Sequence, residues 1–393
     1  MKSNYKQLGS YIRPVDVRNR DLSVSRLLGV SIAKEFMPSI ANTVGTDMSS
    51  YKIVRKGQFA YGPVTSRNGD KISVALLREE ECIISSAYTA FEIIDTNELA
   101  PEYLMLWFSR PEFDRYARYH SHGSVREIFG WDEMCRVELP VPDISVQRKV
   151  VVQIHAIEKR ISSLTQLESR LYEGVTNIYL KWIEKCQSPF AIREDADALP
   201  QGWKWIPLGE LIESYSRSHD FSKDSLIFLN TSDIYNGDVL CDDYMLVADM
   251  PGQAKKRIQK GDILFSEIRP ANRRFAYVDF EAADYVVSTK LMVLRSIQSF
   301  VSQYRIYHYL TLEKTLQELH READAKSGTF PQITFDEDLK KRKVLIGDDK
   351  TEAALTRLLS SYYNLSRKIR SEVALTTNVR NLLIQRIVEG TLF

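Results

Sequence analysis

Several signatures of catalysis are missing from this 393-residue chain. It contains no Gly-x-x-x-x-Gly-Lys loop and no Gly-x-Gly-x-x-Gly, so a phosphate-cradling nucleotide site has no support. No Asn/Asp-Pro-Pro-aromatic motif of amino-methyltransferases occurs. Only six histidines are present; His120 and His122 sit two apart, but nothing nearby completes a metal set. The four cysteines, Cys82, Cys135, Cys186 and Cys241, form no Cys-x-x-Cys pair. That argues against a zinc site and a disulfide framework, and fits a reducing cytoplasm. No run of about 18 apolar residues exists, so no membrane span is expected. The chain opens Met1-Lys2-Ser3-Asn4-Tyr5-Lys6, without an apolar leader. Pro142-Asp143 and Asp348-Asp349-Lys350 faintly suggest nuclease carboxylates, yet both precede long helical stretches, where Asp is an ordinary capping residue. These absences move weight from catalysis to binding, with no metal or cofactor expected.

What is present is a duplication. Leu8-Gly9 is answered by Leu208-Gly209, Lys56-Gly57 by Lys260-Gly261, and Gly123-Ser124 by Gly328-Thr329. Spacings of 200 to 205 residues are too long for a solenoid repeat and mean duplicated domains. Hydrophobic residues at 44% and charged residues at 27% suit two or three ordinary globular cores.

The expected fold is α+β: two similar mixed α/β domains separated by two long helices of coiled-coil or long-bundle pattern. The first domain takes residues 1–143. Its β-like runs include Lys71 to Leu77, and a helix follows Pro101. It closes in Leu139-Pro140-Val141-Pro142, which cannot continue a helix. Residues 144–186 form the central helix, with a seam of Val150, Ile154, Ile157, Ile161, Leu164, Leu171, Val175 and Ile178, and Leu167 off it by one position. Residues 187–348 hold a linker, marked by Pro189, Glu194, Asp195 and Asp197, and then the second domain. Its strands are expected at Ile227–Leu229, Ile263–Phe265, Ala276–Val278 and Tyr285–Leu294, with a helix-rich stretch from Tyr304 to about His320. Residues 349–393 form the second long helix, with a seam of Leu358, Tyr362, Leu365, Ile369, Val373, Val379, Leu383 and Ile387, and Gly390 as its stop.

Net charge is +1, so the overall balance announces no polyanion binder. Each long helical segment nevertheless carries seven Lys/Arg against four Asp/Glu. Mixed solvated charge on a helix is the plainer explanation. Two polar loops are more specific. Thr65-Ser66-Arg67-Asn68-Gly69-Asp70 follows Tyr61-Gly62-Pro63, and Glu267 to Arg274, with Arg269, Asn272, Arg273 and Arg274, follows Phe265-Ser266. Arginine can grip guanine O6 and N7 at two points, and asparagine can do so at adenine N6 and N7. Either side chain also binds phosphate and sets register. A solvated hairpin loop remains the alternative for each. A second pair is Ser124 with Arg126 against Lys326, Thr329 and Gln332, around the Gly-hydroxyl turns. There the glycine either lets backbone N–H groups approach a phosphate or serves the turn alone.

Together these pieces resemble the specificity subunits of type I restriction–modification systems. The resemblance rests on Leu199-Pro200-Gln201-Gly202-Trp203-Lys204-Trp205-Ile206-Pro207-Leu208-Gly209-Glu210 and on Lys260-Gly261-Asp262-Ile263-Leu264-Phe265-Ser266-Glu267-Ile268-Arg269-Pro270. Val287-Ser288-Thr289, the Gly-Ser and Gly-Thr turns and the two long helices add to it, over essentially the whole chain. Two departures are visible. The first domain starts at Tyr5-Lys6-Gln7-Leu8-Gly9 without the Pro-x-Gly-Trp lead, and Pro331-Gln332 stands opposite Arg126-Glu127.

The resemblance implies that each domain is a target recognition domain reading one half of a split, asymmetric site in double-stranded DNA. It implies that the two long helices form an antiparallel coiled coil with a pseudo-twofold axis and dock two methyltransferase subunits, which bring S-adenosylmethionine, and that motor/nuclease subunits supply ATP-driven cleavage. The chain itself would be a cytoplasmic, non-catalytic subunit without a cofactor of its own. About 38 helical residues span roughly 57 Å, or about 17 base pairs of duplex. The main rival is a coiled-coil adaptor with two protein-binding domains and no DNA role; a second is a nuclease or methyltransferase with a degenerate motif.

Overall fold

The repeated Leu-Gly and Lys-Gly signals mark the same pieces of backbone in both halves. The computed structural model describes residues 5–39, 46–66, 68–69, 71–123, 126–192 and 198–389. Glu194, Asp195, Asp197 and Gly390 lie outside them, so the acidic linker and the helix stop are not described. Lys56-Gly57 and Lys260-Gly261 sit in tight turns, with Gln58 N donating to Arg55 O and Asp262 N to Gln259 O. Gly57 has φ +87° and Gly261 φ +95°. That is the third position of a type II turn, which only glycine occupies without strain. The next side chain closes each turn: Gln58 Oε1 accepts from Arg55 N at 2.7 Å, and Asp262 Oδ2 accepts from Gln259 N at 2.8 Å.

The chain divides into two units, Met1–Leu164 with Ser371–Phe393, and Thr165–Arg370. The expected limits near residues 143 and 348 therefore do not coincide with these units, because each long helix contributes one half to each. In the first unit four antiparallel strands run in the order Ile12–Val15, Thr89–Ile93, Phe59–Tyr61, Val74–Leu76. In the second the order is Ile212–Ser214, Leu291–Ser296, Ile263–Ser266, Phe275–Tyr277, the same arrangement.

Alternation along these strands feeds two cores. Phe59, Tyr61 and Phe91 pack with the helix Pro101–Phe108, while Ala60, Ala75 and Ala90 pack with Leu28, Val54 and Ile84 of smaller strand pairs. In the second unit Ile263, Phe265 and Met292 face the helices Gln303–Thr311 and Glu313–Lys326, and Leu264, Ala276 and Val293 face Ile227, Leu229 and Val287. Burial on both faces is why these strands read as continuous apolar runs.

Such a run hid a boundary. The expected strand Tyr285–Leu294 is two strands: Tyr285–Ser288 lies between Ser225–Leu229 and Ala254–Arg257, and Leu291–Ser296 belongs to the other sheet. The crossing frees carbonyls from both ladders. The buried Lys256 amine takes two of them, Thr289 O at 3.0 Å and Leu291 O at 2.8 Å. Lys52 does the matching work in the first unit, donating to Tyr88 O at 2.8 Å. Elsewhere the differences are small: regular strand covers only Val74–Leu76 of Lys71–Leu77, and Phe275–Tyr277 replaces Ala276–Val278.

The long helices span Ile144–Tyr179, continued by one π-helical turn Leu180–Glu184, and Asp349–Glu389. Their halves pair antiparallel in each unit. In the first, Val150 and Ile154 share a core with Leu383 and Ile387, and Arg160 pairs with Glu372. In the second, Val175 and Tyr179 pack with Leu355, Leu359 and Tyr362. There Glu168 Oε1 accepts from Ser366 Oγ at 2.8 Å and from Arg370 Nη2 at 3.0 Å. Leu167 is exposed, as its position off the seam suggests, but so are Ile178, Leu365 and Val379, which were expected on it. A straight helix drifts about 20° per heptad from a 3.5-residue seam, so one stripe cannot stay covered along both helices.

Candidate functional site

The two polar loops are the same hairpin in each unit, joining the third and fourth strands of the main sheet. The later Gly-hydroxyl turns, more than fifty residues away in sequence, meet them. In the first unit Thr65 N donates to Glu127 O at 2.9 Å, and Phe129 N donates to Pro63 O at 2.8 Å. Thr65 Oγ1 lies 2.8 Å from Ser121 Oγ. In the second, Arg269 N donates to Pro331 O at 3.0 Å and Ile333 N donates to Glu267 O at 2.8 Å. Backbone thus fastens each hairpin to its turn, and the two flagged segments form one polar surface per unit.

The turns are not chemically equal. His122 and Ile128 exchange backbone bonds of 2.9 and 3.1 Å, and Gly123 inside that loop has φ +136°. A Cβ there would stand 2.1 Å from Arg126 O, so glycine is required by conformation alone. Gly328 has nothing within 4 Å of a Cβ.

The sequence-flagged side chains separate into two groups. Ser66, Arg126, Arg269, Asn272 and Thr329 are exposed, and Arg126 and Arg269 make no ion pair among the described residues. Arg269 is held left-handed at φ +46°, a conformation that costs a non-glycine residue about 1–3 kcal/mol. Its carbonyl accepts from Asn272 N at 2.8 Å, which fixes the loop around it. The others are engaged internally. Asn68 Nδ2 is 3.4 Å from Val64 O. Arg273 pairs with Glu313. Arg274 Nη1 donates to Ser232 O at 2.9 Å and Ile234 O at 3.0 Å. Lys326 pairs with Glu337 and Asp338, and Gln332 Nε2 donates to Glu267 Oε2 at 3.1 Å. Arg67 and Ser124 lie outside the described residues.

Two aromatic side chains join this surface without having been flagged. Tyr119, at the end of the helix Pro111–Tyr119, is 83% exposed, and Phe330 in the second turn is 51% exposed. Both adjoin a polar turn, which was the available signal. The surface combines guanidinium and amide forks with hydroxyls and planar apolar groups, which can read base edges and hold phosphates. Among the described residues no group of three His, Cys, Asp or Glu side chains could hold a metal ion. No described helix is long and apolar enough to cross a membrane.

Comparison with known proteins agrees with this picture. Residues 200–375 match the family described as "Type I restriction modification DNA specificity domain". A stretch of 135 residues is 44% identical to the HindI type I restriction enzyme specificity subunit of Haemophilus influenzae. That match covers 34% of this chain and 29% of the relative, so the chain matches under a third of the relative's length. The crystal structure of a type I restriction–modification S subunit from M. genitalium superposes with a TM-score of 0.61 at 13% identity, over 98% of this chain and 95% of that one. At that identity the likeness speaks for the fold.

Proposed function

We propose that the chain is a type I restriction–modification specificity subunit, which the match over residues 200–375 and the 44% identity over 135 residues support, and that it reads a bipartite, asymmetric site in double-stranded DNA. Each unit takes one half-site with its fastened hairpin and turn. The observation carrying this is the convergence, in both units, of two distant polar segments onto one surface with different exposed side chains: Ser66 and Arg126 in one, Arg269, Asn272 and Thr329 in the other. Identical anchoring with divergent exposed groups suits two half-sites of different sequence. Phosphate contacts would set register, and the arginine and asparagine forks would select bases.

The long helices serve as spacer and as docking surface for two methyltransferase subunits, which bring S-adenosylmethionine, with motor/nuclease subunits joining the assembly. The chain catalyses nothing itself. It acts in the cytoplasm, which suits four cysteines without a Cys-x-x-Cys pair among them. An adaptor without a DNA role gains nothing from an exposed, left-handed arginine on a fastened loop and is the less favoured reading. The test is to map methylated adenines across the genome of cells with and without the gene. One split, asymmetric motif should lose its methylation with the gene; an unchanged methylation map refutes the proposal.

A further inference from the structure

In one place the two units are built alike but filled differently. At the junction of the second unit's helices, Leu312 shares a core with Val175, Tyr179 and Tyr362. Beside it Tyr363 Oη lies 2.9 Å from His308 Nδ1, so this joint is packed solid. In the first unit Arg110 occupies the place of Leu312. The correspondence is fixed by matching bonds: Ser109 Oγ donates to Met105 O at 2.8 Å, as Thr311 Oγ1 donates to Tyr307 O at 2.8 Å. Beside Arg110 the first unit has a cleft of about 860 Å³, lined among others by Arg110, Lys71, Glu112, Glu158, Arg380 and Ile384. That volume lies in the range of small-molecule sites.

Arg110 is the informative residue. It is only 6% exposed. Its Nε donates to Trp107 O at 3.1 Å, and its guanidinium carbon lies 3.4 Å from the Trp107 ring centroid. Among the described residues it has no ion pair; the carboxylate of the nearby Asp114 is taken by Lys34 at 2.5 Å. Burial lowers its pKa to about 10. A buried cation without a counter-ion is costly, and a stacked guanidinium offers a fixed fork that fits carboxylate or phosphate oxygens. Lys71 and Arg380 add positive charge, while Glu112 and Glu158 oppose a large polyanion.

We propose that this cleft binds a small molecule through one oxyanion group, carboxylate or phosphate, seated on the Arg110 guanidinium. This does not depend on the DNA-reading proposal, because the cleft shares no residue with the candidate recognition surface.

The test is thermal unfolding of the full chain in inorganic phosphate and, separately, in citrate, with chloride at matched ionic strength as control. A saturable rise in Tm is expected with one or both anions, and the anion that acts identifies the head group. Arg110→Leu, the residue found at the matching place in the second unit, should weaken apparent affinity about tenfold or more, the worth of a charge-assisted fork. Arg380→Ala, at the cleft wall, gives a second variant should Arg110→Leu not fold, and should also weaken binding. No rise over chloride with either anion, or a rise that survives both substitutions, overturns the proposal.

Discussion

At the start of the first long helix Gln147 is buried and neutral. Its Oε1 accepts from Ala100 N at 2.9 Å, and its Nε2 donates to Glu98 O at 2.8 Å and Pro142 O at 2.7 Å. At the start of the second long helix Glu352 takes the same place. One oxygen accepts from Gly347 N at 2.9 Å; the other lies 3.6 Å from Arg305 Nε, and neither of that last pair of atoms has a hydrogen bond. The carbonyl that Tyr103 Oη caps at Pro140 in the first unit is capped by Arg305 at Leu345 in the second. One joint is neutral with both amide ends used. The other is an ion pair with a loose side, and burial raises the Glu352 pKa. The two joints therefore share the place of a buried polar side chain and one capped carbonyl, at Pro140 and Leu345, but not the chemistry around them. A buried pair of this kind is strongly felt when broken, yet replaceable as a whole.

Breaking the pair should give the largest effect. Arg305→Met leaves Glu352 buried without a cation and should cost the second unit about 3–5 kcal/mol. Importing the first unit's chemistry, Arg305→Tyr with Glu352→Gln, should restore most of that, a coupling readable in a double-mutant cycle. Hydrogen exchange of the helix Gln303–Thr311 measures both. A double variant as unstable as the single one would show that the joints are not interchangeable.

The next effect concerns acid. His308 occupies the place of Leu106; burial first, and then the Arg305 charge, lower its pKa to about 3. Unfolding lets it bind a proton at its ordinary value of about 6.5. Its folded pKa is depressed, so its contribution is complete above that value and is lost as pH falls toward 3. The loss approaches about 1.4 kcal/mol per pH unit. Protection factors in the second unit, with the intrinsic pH dependence of amide exchange divided out, should therefore fall between pH 6 and 4, in the range set by these values, more steeply than in His308→Leu. Parallel pH profiles for wild type and variant would remove His308 as the cause.

Much of the fold is legible in the chain, and the reasons differ by element. The long helices begin within a residue of their expected starts because three-and-four apolar spacing leaves few other solutions. The Lys-Gly turns are legible because a left-handed position demands glycine. The crossing at Thr289-Lys290 is not, since strands buried on both faces carry no change of pattern there. The site is half legible. Both loop pairs are visible from their residues, but their meeting depends on backbone bonds such as Thr65 to Glu127. Arg269, Arg273 and Arg274 look alike in sequence. Only the fold ties Arg274 to the carbonyls of Ser232 and Ile234, some forty residues back, and leaves Arg269 exposed. The joint at Arg305 and Glu352 is invisible for the same reason.

The most direct measurement maps methylated adenines in cells whose copy of this chain carries Arg269→Ala or, separately, Arg126→Ala. Two units reading separate half-sites predict that each variant weakens methylation or relaxes base choice in one half of the motif only, and that the two variants affect different halves. A motif unchanged by either substitution, or both substitutions acting on the same half, would contradict it.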